Sequence, residues 1–288
     1  MFEIYTDSGA NLPERIIRKY NITVVPFTYS LDGREYLCYE KGKRFDYDSY
    51  YGALREKKMI RTSMVNMQTF LQAFEKKAAL GVKILYIGFS SALSGTFNAA
   101  KTALSMLKSK YNNPNLYAVD TLSGSFGEGL CCYYAARMRE EGLDIEKTAA
   151  RISSLIPHLR SRFTCDDLFY IKRGGRISSA AAVAGTLLGI KPVMKAGEDG
   201  KITLYEKVRG RKNALDKLID ELTRSVDMTK HQIVAISHAD CEDDAKYMLS
   251  QLKKLPYISD VLVEKMEPVT AAHGGPGMIA LFYFAKTK

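Results

Sequence analysis

The chain reads as a two-domain α/β protein. An N-terminal three-layer α/β/α domain on a parallel sheet is expected over residues 1–158, and a C-terminal two-layer α/β domain with a mixed sheet over 159–288. Two observations predict this. Up to residue 157, short apolar runs alternate with helix-length segments, the pattern of βαβ units. Beyond it, strand-like runs are separated by only two long helical segments, as expected of a mixed sheet with helices on one side.

The elements follow in order. FEIYT (2–6) reads as a short buried strand, and Pro13 opens a helix through Tyr20 because its fixed φ suits a first turn. ITVVPFTY (22–29) is a second strand, with Pro26 marking an edge or a bulge. Asp32-Gly33 is a turn signal for a hairpin into Arg34–Leu37. Residues 46–58 and 66–80 read as helices, KILYIGF (83–89) as a strand, 93–110 as a helix and 115–120 as a strand. Further helices are expected over 126–141 and 144–156. Continuous apolar strands fit burial on both faces. In the second domain ITLYEKV (202–208), QIVAISH (232–238), VLVEKM (261–266) and MIALFYF (278–284) are strands, with helices near 210–226 and 241–254.

Composition bounds the function. The 288 residues are 46% hydrophobic and 26% charged, a soluble globular balance. No run approaches the ~18 apolar residues of a membrane span, and the start lacks the basic n-region and long apolar h-region of a signal peptide. The five cysteines show no C-x-x-C and read as reduced thiols in a cytoplasmic protein. His238 and Cys241 are the nearest approach to a metal pair, but zinc needs more ligands at that spacing, so no metal is expected. The net charge of +10 suits nucleic acid, an acidic partner or transient contact with an anionic membrane surface. The charge is scattered, and no nucleic-acid-binding motif accompanies it, so a solvated basic face is preferred over nucleic acid.

In open α/β sheets, ligands sit beyond the carboxyl ends of strands. There the chain places Thr6-Asp7-Ser8, Ser90-Ser91 with Ser94-Gly95-Thr96, and Thr121 with Ser123 and Ser125, while Thr62-Ser63 lies between helices. Helix capping accounts for about half of these hydroxyls. Their convergence favours a neutral, donor-rich site for an oxygen-bearing ligand. The second domain adds Lys172-Arg173-Gly174-Gly175-Arg176 and His273-Gly274-Gly275, where glycines let backbone amides approach an anion. Tight turns with a surface His are the plain alternative. The stretch 179–190 is small and apolar; it suits a buried core helix and the wall of a lipid tunnel equally.

No phosphate-binding P-loop, dinucleotide fingerprint or nucleophile elbow occurs. The remaining enzyme reading is a stand-alone hydrolase or acyltransferase, with Ser94 as nucleophile, His273 as base, and Asp7 or Asp120 orienting the His.

Taken together and in order, the polar motifs resemble a known family. They are Thr6-Asp7-Ser8 with Leu12-Pro13, Thr62-Ser63, Ser90-Ser91 with Leu93-Ser94-Gly95-Thr96, Asp120-Thr121, Lys172 with Gly174-Gly175-Arg176-Ile177, Lys191-Pro192, Lys207-Val208-Arg209, and His273 with Gly275-Pro276-Gly277. This set is similar to the DegV family, which contains the fatty-acid-binding subunits of bacterial fatty acid kinase. The resemblance implies two α/β domains with an acyl chain between them and no catalytic residue or cofactor of the chain's own. It implies a bound long-chain fatty acid such as palmitate, stearate or oleate, and a separate ATP-binding kinase subunit as partner. Thr62 and Ser94 are implied to hydrogen-bond the carboxylate, with His273 and Gly274 close by. Arg173, Ser63 and Gly95 would help close the head-group site, and Arg209 would dock the partner. The chain departs from the family pattern at Met64-Val65-Asn66, where x-Pro-Ser is usual after Thr-Ser. It also carries Gly274 where Thr or Val is common, a change expected to widen the head-group end.

Overall fold

The computed structural model describes residues 1–166, 168–177, 189–229 and 231–286. The residues divide into two compact units. One comprises Met1–Phe45 with Arg61–Ile156; the other comprises Asp46–Ile60 with Pro157–Lys288. The expected boundary at 158 leaves 46–60 in the first domain, whereas these residues cluster with the second unit.

The first unit is built on β1 (Glu3–Asp7), β2 (Ile22–Val25), β6 (Ile84–Gly88) and β7 (Leu116–Asp120), in the spatial order β2-β1-β6-β7 and all parallel. Every residue of β6 is buried, as a central strand covered on both faces requires. Adjacent residues of β1 identify the two covering layers. Tyr5 packs edge-on against Phe74 of α3 (Met67–Ala79), with ring centres 5.1 Å apart. Thr6 points the other way, and its hydroxyl donates to Glu128 of α5 (Phe126–Glu140) at 2.6 Å. The helix α4 (Thr96–Tyr111) packs beside α3, and α6 (Ile145–Leu155) beside α5. The expected three-layer α/β/α arrangement is therefore present. Asn66 and Asp144 cap α3 and α6 by accepting from the amides of Thr69 and Lys147.

The run 22–29 is not one strand. Pro26 has no amide to donate and ends β2. The next amide, Phe27 N–H, donates to Ser8 Oγ at 3.0 Å. The chain then restarts as β3 (Thr28–Leu31) in a separate antiparallel sheet, between β4 (Arg34–Leu37) and β5 (Arg61–Ser63). The Asp32-Gly33 turn joins β3 to β4, both residues having positive φ (50° and 77°) as a tight hairpin demands. Sequence reading missed β5. It is only three residues long and places Thr62 opposite Tyr29 and Ser63 opposite Thr28.

The second unit carries a six-stranded mixed sheet. Its strands are β8 (Leu159–Thr164), β9 (Ile190–Ala196), β10 (Ile202–Arg209), β11 (Gln232–His238), β12 (Ile258–Lys265) and β13 (Ile279–Phe284), ordered β10-β9-β8-β13-β11-β12. Among these strands the β11–β12 pair is parallel and the other pairs are antiparallel. The helices α8 (Arg211–Ser225) and α9 (Glu242–Leu252) cover one face. Leu215, Leu218, Leu222, Met248 and Leu252 share a core with Val234, Ile236, Ile279 and Leu281. The strands β8 and β9 were not anticipated: LRSRFT carries two arginines, and the start of β9 is hidden within the apolar stretch 179–190. Of that stretch, residues 179–188 lie outside the described residues.

Residues 46–60 join this unit through α2 (Tyr47–Arg55), capped by Asp46. Tyr50 and Tyr51 donate their hydroxyls to the carbonyls of Pro268 (2.6 Å) and Met266 (2.7 Å). Tyr170 donates to Leu54 O, and Arg55 pairs with Asp240. Among the described residues, no helix is long and apolar enough to cross a membrane.

Candidate functional site

Most of the hydroxyls beyond the strand ends are used inside the fold. Thr6 is bonded to Glu128, and Ser8 to Phe27 N–H. Thr121 Oγ1 serves the carbonyls of Gly88 and Ser123, and Ser90 Oγ accepts from Ala92 N–H. The loop 121–125 is tightly held, with Leu122 and Ser125 both at positive φ (50° and 52°). Four loops therefore do not converge as free donors.

The carboxylates are similarly committed. Asp7 is fully buried and accepts from Gly9 N–H (2.9 Å), Tyr86 Oη (2.7 Å) and Phe89 N–H (3.2 Å). Burial pushes its pKa up to about 6, with those donors opposing the rise. Asp120 Oδ1 accepts from the amides of Ser91 and Leu122. Both acids act as braces between loops.

The strand end Thr62-Ser63 and the turn Ser94-Gly95-Thr96 are brought together. The Val65 amide donates to Thr96 Oγ1 at 3.2 Å, and Thr96 Oγ1 lies 2.9 Å from Ser94 Oγ. A second contact fits the same loops to each other: a side chain at Gly95 would meet Met64 Sδ at 2.9 Å. The unusual Met64-Val65-Asn66 segment is thereby accommodated. Met64 lies over Gly95, Val65 supplies the bridging amide and Asn66 caps α3. Thr62 and Ser94 are half-buried, and Ser63 and Gly95 are exposed. Thr96 is the residue that sequence reasoning did not assign. Its signal was present as the second hydroxyl of Ser-Gly-Thr, but a helix-start threonine passes as a cap.

In the second unit, α10 (Pro268–Gly274) carries His273 in its last turn. Glu267 caps the helix by accepting from Val269 and Thr270 N–H, and Gly275 ends it at φ 76°. The His273 ring lies against Gly174, near the end of α7 (Phe169–Gly174). Burial, aided by the charges of Arg176 and Arg173, lowers the His273 pKa to about 4. The imidazole is therefore neutral near pH 7 and offers one N–H rather than a positive charge. Arg173 stacks 4.8 Å and 5.3 Å from the ring centres of Tyr170 and Phe169, and bonds Lys58 O at 3.5 Å. Gly274 does not open space. A side chain there would meet Met278 Sδ at 1.9 Å, so Met278 fills the volume expected to widen the site. Arg209 is exposed at the end of β10.

His238 and Cys241 are bonded within the fold. Cys241 N–H donates to His238 Nδ1 at 3.3 Å, and Cys241 Sγ reaches Met278 O at 3.5 Å. No group of three or more potential ligands gathers among the described residues.

The parallel three-layer unit and the mixed-sheet unit define a two-unit α/β protein. The chain belongs to the DegV family, whose pattern it matches over residues 1–286. It is 36% identical over 287 residues to a DegV domain-containing protein of Clostridium perfringens, covering 100% of this chain and 98% of that one. Two solved structures share the fold along its length. A fatty-acid-binding DegV family protein of Streptococcus agalactiae matches with a TM-score of 0.85 and 27% identity, covering 100% and 99% of the two chains. A DegV family protein of Thermus thermophilus, described for its fatty acid binding, matches with a TM-score of 0.86 and 25% identity, covering 99% of each chain.

Proposed function

We propose that this chain binds a long-chain fatty acid, with the carboxylate on Thr62 and Ser94, and presents it to an ATP-dependent kinase subunit. The full-length likeness to the fatty-acid-binding proteins of Streptococcus agalactiae and Thermus thermophilus carries this reading. Burying a tail of ~14 methylenes supplies on the order of 11 kcal/mol gross, before the costs of association. The head group's task is to avoid the penalty of a desolvated bare carboxylate. Neutral hydroxyl donors do this while leaving the oxygen nucleophilic, which a bidentate Arg clamp would not. His273 adds a neutral N–H, and Gly274, Ser63, Gly95 and Arg173 are assigned to the same head-group region. Exposed Arg209 is assigned to docking the partner.

Titration calorimetry of palmitate into delipidated chain tests the binding step. Saturable one-to-one binding is expected, weakened about tenfold or more by Thr62→Ala; no heat of binding to the intact chain contradicts the proposal. The division of labour is tested by incubating the chain with palmitate and ATP. Acyl-phosphate is expected only when a kinase subunit is added, and its formation by the chain alone contradicts the assignment.

A further inference from the structure

The direction of one proton in the Ser94 loop is fixed by its surroundings. Thr96 Oγ1 is fully buried, and among the described residues its polar neighbours are the Val65 amide at 3.2 Å and Ser94 Oγ at 2.9 Å. Val65 N–H can only donate, so it occupies an acceptor position on Thr96. A buried hydroxyl keeps its own proton bonded, and the one acceptor offered to it is Ser94 Oγ. The Thr96 amide also points at Ser94 Oγ, at 3.3 Å. Ser94 thus accepts twice from Thr96 inside the loop, and its own O–H is left to donate outward.

From this juxtaposition we infer that Thr96 is a positioning residue that presets Ser94 as a hydrogen-bond donor, making the site selective for an anionic, acceptor-only head group. The inference rests on the fatty-acid reading and deepens it: the ligand class is the ionised acid, discriminated from the alcohol of the same chain length. Through Val65 N–H the same hydroxyl ties the Thr62–Val65 segment to Ser94, so one buried hydroxyl sets that spacing as well as the polarity of Ser94.

The test compares palmitate with hexadecanol in competition for the delipidated chain, read by native mass spectrometry. The unaltered chain is expected to prefer the acid. Thr96→Val, similar in shape but without the hydroxyl, is expected to reduce the acid-to-alcohol ratio about ten- to hundredfold, and Thr96→Ser is expected to restore it. A Thr96→Val chain that keeps the original ratio overturns the inference alone. An unaltered chain that takes up neither ligand overturns the fatty-acid reading with it. Ser94→Ala provides an independent arm should Thr96→Val not fold. It loses the preference if the Ser94 proton points outward and keeps it if that proton points to Thr96, the latter outcome contradicting the inference.

Discussion

His273 and Gly174 fit one another: a Cβ on Gly174 would stand 2.3 Å from His273 Nδ1, so the ring's position depends on the missing side chain. Gly174→Ala must push the ring aside or shift the end of α7. Overpacking of this kind costs about 1–3 kcal/mol. Urea denaturation is expected to show that loss, together with weaker palmitate binding. Unchanged stability and affinity would mean that the ring relocates freely.

His273 also gives stability a defined pH dependence. In the folded chain the ring stays neutral until about pH 4, whereas in the unfolded chain it protonates near 6.5. Between those values the unfolded state binds more protons, so stability falls as pH drops from 6.5 to 4, by up to about 3 kcal/mol from this group. The contribution is fully present above 6.5. His273→Gln removes the titration, and its stability is expected to fall less steeply over the same window. Parallel pH–stability curves for the two chains would contradict the depressed pKa.

The Tyr86–Asp7 bond braces the first unit from within. Tyr86→Phe removes one of three donors to a fully buried carboxylate, at an expected cost of about 1–3 kcal/mol. Because burial raises the Asp7 pKa to about 6, the gap between the two chains should narrow as pH falls through that value and the acid becomes neutral. Chemical denaturation at pH 7.5 and pH 5 measures both effects.

Much of this arrangement was legible in the residues themselves. The apolar run 83–89 announced the central strand because both faces are covered, and Asp32-Gly33 announced its hairpin because few other pairs accept two positive φ angles. Pro26 was read as a disturbance within one strand; its full effect, sending the chain into a different sheet, depends on the distant partners β4 and β5. The strand Leu159–Thr164 stayed hidden because its arginines mask the alternation. Segment 46–60 carries a clear helix pattern but no local sign of where it docks, since that is decided by tyrosine hydroxyls meeting carbonyls some two hundred residues away. At the candidate site, Ser94 and Thr62 were two of many loop hydroxyls until the family resemblance singled them out. Which hydroxyls are spent internally, as with Ser8 and Thr121, became apparent only from their partners.

Those tyrosines yield a further expectation. Tyr50→Phe with Tyr51→Phe removes a hydroxyl donor from each of the carbonyls of Pro268 and Met266. Each loss costs on the order of 1–2 kcal/mol, and the cost should fall on the attachment of α2 to the second unit. Hydrogen exchange is expected to quicken across 46–60 while β6 stays protected. Uniformly faster exchange would show that the attachment is not separable from global unfolding.

The central claim is that a fatty acid occupies this protein, and native mass spectrometry of the chain as purified from its host tests it most directly. The account predicts a bound species of roughly 250–285 Da, the mass of an acid with the tail length argued above, released on denaturation and recovered as a free carboxylic acid. A preparation that carries no acyl species, and takes none up when offered palmitate, would contradict it.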